Sequence, residues 1–257
     1  MPKLLILCER SGDHCNRLFQ SIHYHAYCKK NNIIFWNPTL IGMLNKRIAL
    51  DIGNASNKVL KYISKFLKLI KINKGWQTYP NNKKIIQLVG GWEFRCHELS
   101  EEYWDTLRNY YKINRRINEM EEKILEEIKK KKIECIKVVG IHIRRRDYRE
   151  FKGGKYMYTD AEYKKITEKI KKSYQKKGIK TWIIVCSDEA KILEVGQDKQ
   201  SQGRWFADQL ILQNCDIILG PPSTFTLWAS YIAKVKYVHI ETVDQEIDIV
   251  NAMICIG

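Results

Sequence analysis

The sequence predicts an α/β protein of two lobes, each with a parallel sheet, dividing into residues 1–135 and 136–257. Three observations carry this. The chain opens with strand, turn, helix and strand in succession, and a second α/β series begins near Ile136. The run Val138-Val139-Gly140-Ile141-His142-Ile143 then switches abruptly to Arg144-Arg145-Arg146-Asp147-Tyr148. A short β-branched run closed by charge reads as a buried strand, and strands alternating with helical segments imply parallel pairing through crossovers. A chain of 257 residues can bury a substantial core, as one large domain or as two lobes.

Lys3 to Cys8 reads as the first strand, followed by a turn at Gly12 and a helix from about Asn16 to Lys29. Ile33 to Trp36 supplies a second strand. Val59, Leu60, Ile63, Phe66, Leu67 and Ile70 recur at helical spacing, and Lys84 to Val89 forms a short strand closed by Gly90-Gly91. Residues 97–132 combine helical periodicity with dense charge, as a helical connector would. In the second series the strand ending at Ile143 leads through a polar loop with Gly153-Gly154 to a helix from about Ala161 to Lys176. Thr181 to Cys186 is the next strand, with Ser187 or Asp188 placed to cap a helix after it. The polar stretch 196–203 reads as a loop, Trp205 to Asn214 as a helix and Asp216 to Leu219 as a short strand. Pro221-Pro222-Ser223-Thr224 opens a helix reaching about Ala233, and Lys236 to Ile240 closes the series.

Hydrophobic content of 44% and aromatic content of 11% exclude a disordered chain. No apolar run reaches the roughly 20 residues that span a bilayer, and Leu4-Leu5-Ile6-Leu7 meets Glu9 and Arg10 too soon for a secretory segment. The eight cysteines form no C-x-x-C pair, and Cys8, Cys186 and Cys255 sit in apolar runs, which suits buried thiols in a reducing compartment. The expected location is therefore cytoplasmic. His23 and His25 have no carboxylate or suitably spaced cysteine to complete a metal set, so no metal is expected there. A net charge of +16 points to an acidic partner: a nucleotide, a polyphosphate, nucleic acid or an anionic membrane surface. Much of that excess, at Lys129 to Lys132 and at Lys171, Lys172, Lys176 and Lys177, reads equally well as solvated helix faces.

Three segments of the second half follow strands and so fall at the carboxyl edge of a parallel sheet, where open α/β sheets bind ligands: His142 to Asp147, Ser187-Asp188, and Gly220 to Thr226. Arginine forks two N–H groups onto phosphate oxygens, so adjacent arginines on a rigid strand suit a diphosphate; the other reading is a solvated basic turn. A helix opened by Ser223 and Thr224 presents free backbone N–H groups and the positive end of its dipole, again suited to phosphate. An ordinary Ser/Thr cap gives the same sequence.

His142-Ile143-Arg144-Arg145-Arg146-Asp147-Tyr148 resembles the H-x-R-R-x-D motif of the α-1,2-fucosyltransferases, shared with α-1,6-fucosyltransferases and protein O-fucosyltransferases. Asp208 to Asp216, followed by Ser223-Thr224-Phe225-Thr226-Leu227-Trp228-Ala229, is similar to that family's aspartate-led helix and S-T/S-F-S-W-W segment. Cys15-Asn16-Arg17-Leu18-Phe19-Gln20 resembles its G-N-Q-x-F-Q turn. Four departures stand out: Cys15 and Arg146 where the family has glycine, Pro222-Ser223 where it has Asn-Ser, and Leu227 where it has tryptophan.

The resemblance implies a GT-B-like enzyme of two Rossmann-like lobes, with an amino-terminal acceptor-side lobe and a carboxyl-terminal lobe binding GDP-fucose. By position, Arg144 and Arg145 would contact the diphosphate, and His142 and Asp208 would lie near the guanosine. Ser223 and Thr224, in the same segment as Phe225, would bind the β-phosphate, and Asn16 would approach the donor from the first lobe. Asp147 would orient the arginines, and Asp188 matches a carboxylate of the family's third motif. The reaction implied is an inverting, metal-independent transfer of fucose to a hydroxyl of a glycan or lipid-linked oligosaccharide, with no cofactor beyond the donor. Asp13, His14 and Glu150 are the candidates for a base. The basic surface would favour residence at an anionic membrane face, the inner one for a cytoplasmic enzyme. Two other readings remain open: a different donor such as GDP-mannose, or a non-catalytic polyanion or nucleic-acid binder. For the latter the sequence offers no helix-turn-helix, zinc module or aromatic RNA-binding signature.

Overall fold

A computed structural model describes residues 3–40, 43, 77–81, 83–112, 116–189, 195–249 and 251–257. The helical spacing from Val59 to Ile70 lies outside the described residues. The chain divides into two compact units, Met1–Arg115 with Ile256–Gly257, and Arg116–Cys255.

In the first unit, strands β1 (Lys3–Leu7), β2 (Ile33–Trp36) and β3 (Ile86–Val89) form a parallel sheet in the order β2-β1-β3, and helix α1 (His14–Lys30) makes the crossover from β1 to β2. Leu5, Leu7, Phe35 and Val89 pack with Tyr24 of α1 into one core. The single proton of the Tyr24 hydroxyl is shared between the carbonyls of Thr78 and Gly90, both at 2.8 Å, which fixes the chain on either side of β3. Helix α1 starts two residues earlier than its apolar pattern predicts, because the Arg17 N–H already donates to the Asp13 carbonyl at 3.1 Å. Residues expected as one helical connector form three helices: α2 (His97–Glu102), α3 (Trp104–Tyr110) and α4 (Glu119–Ile133).

Helix α4 groups with the second unit rather than with the segment before it. Ile124 and Ile128, one turn apart, bury against Val138, Trp182 and Ile184 of that unit's sheet, and apolar burial decides the allegiance. Its start is fixed by a capping box in which Asn118 accepts from the Glu121 N–H at 2.9 Å and Glu121 accepts from the Asn118 N–H at 2.9 Å.

The second sheet contains β4 (Lys137–Ile143), β5 (Thr181–Ser187), β6 (Lys199–Gln200), β7 (Ile217–Gly220) and β8 (Lys236–His239), all parallel, in the order β6-β5-β4-β7-β8. The two-residue β6 falls in a stretch expected to be loop; a polar edge strand this short has no alternating apolar pattern to betray it. Helix α5 (Asp160–Gln175) starts at a capping box of Thr159 with Glu162 and leads into β5. Helices α6 (Trp205–Gln213) and α7 (Thr224–Ala233) lead into β7 and β8. Strand residues alternate between faces. Val139, Ile141, Ile143, Ile183 and Val185 meet Tyr163, Ile166 and Ile170 of α5, while Val138, Trp182, Ile184 and Cys186 meet α4 and Ile211 and Leu212 of α6. Burial on both faces explains why β4 and β5 read as continuous apolar runs. Among the described residues no helix is long and apolar enough to cross a membrane.

Where β7 ends beside β4 there is no room for a side chain. A Cβ at Gly220 would lie 2.9 Å from the His142 carbonyl oxygen and 3.1 Å from the His142 Cβ. Gly220→Ala must therefore push two backbones apart, and its unfolding free energy in urea is expected to fall by about 1–3 kcal/mol. An unchanged midpoint would show that the strands can separate there freely.

Candidate functional site

Strand order in the second unit reverses between β4 and β7, each of which continues into a separate crossover. At such a switch point the two following loops diverge and leave a crevice at the carboxyl edge. Into it come the turn after β4 and the start of α7.

Arg144 leaves the end of β4 and is clamped by Asp147 in a two-toothed ion pair, Nε to Oδ1 at 2.8 Å and Nη2 to Oδ2 at 2.7 Å. Its remaining nitrogen, Nη1, donates to Ser223 Oγ at 3.3 Å. Burial opposes the Arg144 charge, but Asp147 outweighs it and raises the pKa, while Arg144 in turn lowers that of Asp147. Ser223 is the N-cap of α7 and also accepts from the Phe225 N–H at 3.2 Å. A fixed guanidinium thus stands over the positive end of a ten-residue helix whose first N–H groups lack intrahelical partners. Two like-signed groups converging on one point is an arrangement for an anion.

Tyr148 ties the two loops together: its hydroxyl donates to the Pro222 carbonyl, and the Arg144 guanidinium lies 5.2 Å from its ring centre. Sequence reasoning did not single it out, although its position directly after Asp147 was the available signal.

Arg145 behaves differently from its neighbour. It turns toward α5, where Nε donates to the Tyr158 carbonyl at 3.1 Å, Nη1 to Glu189 at 3.3 Å and Nη2 to Asp160. Every nitrogen of its guanidinium is engaged by protein, and its side chain is only 11% exposed. Asp188 spends its carboxylate on the backbone, accepting from the Arg145 N–H at 3.1 and 3.2 Å and from the Arg146 N–H at 3.1 Å. It holds the arginine turn in shape; the helix it was expected to cap lies outside the described residues.

His142 is buried on the α7 side, stacked on Phe225 with ring centres 4.6 Å apart, and its Nδ1 lies 3.1 Å from Thr226 Oγ1. Burial, with a smaller push from Arg144, lowers its pKa to about 3, so the ring is neutral. Asp208, in the first turn of α6, is buried too. Burial raises its pKa to about 7, aided by the charges of Glu121 and Asp188 and opposed by a hydrogen bond from Ser201. Its Oδ1 has no hydrogen-bond partner among the described residues.

Asn16 lies in the first turn of α1 in the first unit, half-buried, near Gly12. Asp13 precedes that helix without capping it, His14 begins it, and Glu150 is exposed beyond the arginine turn. Among the described residues no group of three His, Cys, Asp or Glu side chains could hold a metal ion.

A parallel sheet with a cation and a helix terminus at its switch point defines a nucleotide-type α/β binding unit. The family model of glycosyl transferase family 11 matches residues 34–249, and the chain belongs to that family. It is a glycosyltransferase of the fucosyltransferase-like kind. No curated protein sequence matches it significantly. Among solved structures it is similar to an Arabidopsis thaliana FUT1 mutant in complex with GDP, with a TM-score of 0.53 and 11% identity over 94% of this chain and 72% of that one. It is also similar to the fucosyltransferase NodZ from Bradyrhizobium, with a TM-score of 0.52 and 11% identity over 98% of this chain and 97% of that one. NodZ α-1,6-fucosyltransferase soaked with GDP-fucose gives a TM-score of 0.55 at 12% identity, covering 97% of each chain. These likenesses give the fold as GT-B-like, α/β with parallel sheets.

The raised pKa of Asp208 fixes the sign of a pH effect. A carboxyl whose folded pKa lies above its unfolded one stabilises the fold fully below the unfolded pKa, near 3.8, and that contribution is lost as pH rises through about 7. Asp208→Asn removes the penalty, so its melting temperature should gain on the wild type as pH rises from about 4 to about 7 and hold level above that. A gap independent of pH over that range would show that Asp208 is ionised without penalty.

Proposed function

We propose that this chain transfers fucose from GDP-fucose to a glycan hydroxyl with inversion at the sugar, and that the second unit binds the donor. The observation that carries the reading is the convergence of Arg144, clamped by Asp147, with the capped start of α7 at Ser223 and Thr224. In the transfer, the acceptor hydroxyl oxygen bonds to the sugar's anomeric carbon as the bond from that carbon to the β-phosphate oxygen breaks; GDP departs with the electron pair, and the hydroxyl proton passes to solvent. Negative charge then grows on the departing phosphate, where a preorganised cation and helix terminus stabilise it most. Thr224 supplies a hydroxyl and a first-turn N–H to the β-phosphate, and Arg144 reaches the same group through Nη1. The proposed transfer is metal-independent, with Arg144 and the α7 terminus as the groups that meet the growing phosphate charge. Arg145, held by Asp160 and Glu189, keeps the turn in place as a positioning residue.

The buried Asp208 carboxylate, with one oxygen unpaired, suits the N1–H and exocyclic N–H of guanine, and His142 stacked on Phe225 supports the crevice wall on that side. The acceptor is a glycan or lipid-linked oligosaccharide. Eight free cysteines, Cys15, Cys28, Cys186 and Cys215 among them buried, support a cytoplasmic setting.

Donor choice and the phosphate role are tested together by assaying the wild type and Arg144→Ala with GDP-fucose, GDP-mannose and UDP-sugars. Transfer from GDP-fucose alone, reduced about 100-fold or more in the variant, is the expected result. Equal activity of the variant would remove Arg144 from the reaction, and preference for another nucleotide sugar would overturn the donor.

A further inference from the structure

The edge of the second sheet opposite the arginine turn is dominated by lysine. Because the five strands run parallel, the amino ends of β4 and β5 and the carboxyl ends of α4 and α5 gather there. The Lys137 N–H donates to the Lys180 carbonyl at 2.8 Å and the Ile136 N–H to the Lys131 carbonyl at 2.9 Å, so the two helix ends lie side by side. Among the described residues two carboxylates pair with lysines of this edge: Glu134 with Lys131 at 3.4 Å, and Asp216 with Lys132 and Lys137 at 3.7 and 3.6 Å. Among the described residues Lys130, Lys176, Lys177 and Lys180 have no carboxylate within that range, and all four are exposed.

Lysine at a helix C-terminus has an ordinary structural use, since each dipole end carries about half a negative charge. Two such ends and two carboxylates amount to about three negative charges. The eight lysines at 129–132, 137, 176, 177 and 180 exceed them by about five. Among them protrudes Ile133, 82% exposed, with Ile179 exposed at the neighbouring helix end. An apolar side chain raised above a field of flexible ammonium groups matches a bilayer surface, where lysines sit at anionic headgroups and the isoleucine enters the acyl boundary. Nucleic acid fits less well: these two helix ends carry neither the guanidinium forks nor the aromatic platforms that hold phosphates and bases.

We propose that this lysine edge, centred on Ile133, docks the protein on an anionic lipid bilayer. The unit carries its arginine turn at the other end of the same strands, where Asp147, Asp160 and Glu189 pair with Arg144 and Arg145 and so offset part of the positive charge there. An anionic surface therefore orients it with the lysine edge down and the β4–β7 crevice facing the aqueous phase.

The test is co-sedimentation of the full chain with vesicles of one part phosphatidylglycerol to two parts phosphatidylcholine, against vesicles of phosphatidylcholine alone, at low and high salt. The wild type is expected to pellet only with the anionic vesicles and to be released by salt. The triple variant Lys130→Glu, Lys177→Glu, Lys180→Glu should bind at least about 100-fold more weakly with a melting temperature lowered by no more than a few degrees, while Lys→Arg at the same positions binds as the wild type does. Ile133→Ser should weaken binding without changing its salt dependence. Failure of the wild type to pellet, or undiminished binding of a folded triple variant, would overturn the proposal. So would tight lysine-dependent binding to duplex DNA without binding to vesicles, which would assign the edge to nucleic acid.

Discussion

Strands β4 and β7 are neighbours that end at the same level, with the residues that follow them on opposite sides of a crevice. The absence of a side chain at Gly220 lets the His142 backbone come within the reach of a single missing methyl group. That close approach sets the distance between the arginine turn and the start of α7. The proposed donor site depends on it, because Arg144 reaches Ser223 only when the two strand ends are held side by side. Tyr148, bonded across to Pro222, is a second tie between the same loops. A guanidinium already fixed by Asp147 loses little rotamer freedom when an anion arrives, and the proposed donor site draws on this preorganisation.

Three successive arginines might be expected to act alike, and their environments separate them. The strand's alternation sends Arg144 toward α7 and Arg145 toward α5, where Asp160 and Glu189 neutralise it. A guanidinium this shielded from water needs such partners, since burying it unpaired would cost several kcal/mol. Asp188 completes the arrangement through the backbone, accepting the Arg145 and Arg146 N–H groups that the turn leaves without a strand partner. The carboxylates around the turn thus hold its shape and leave one nitrogen of Arg144 directed at Ser223, the cap of α7.

Much of the fold was legible because burial writes itself into sequence. The apolar runs of β4 and β5 and the Ser223 cap of α7 lie within a residue of where the pattern puts them. Helix α4 was harder: its periodicity is plain, but allegiance to one unit rests on Ile124 and Ile128 meeting Val138 and Trp182, contacts that local sequence cannot express. The same holds at the site. Arginine after a strand announces phosphate chemistry, yet the partition between Arg144 and Arg145 is made by Asp147, Tyr158, Asp160 and Glu189, up to 44 residues away. The neutral state of His142 and the raised pKa of Asp208 likewise follow from burial against Phe225 and beneath the sheet edge, which no motif spells out.

The central claim is that a nucleoside diphosphate sits between the arginine turn and the start of α7, and hydrogen–deuterium exchange with and without GDP addresses it most directly. The account predicts that GDP slows exchange at the amides of Thr224 to Thr226 and of the turn at Arg144 to Asp147, leaving the amides of the lysine edge unaffected. GDP binding that leaves those two segments unprotected would contradict it.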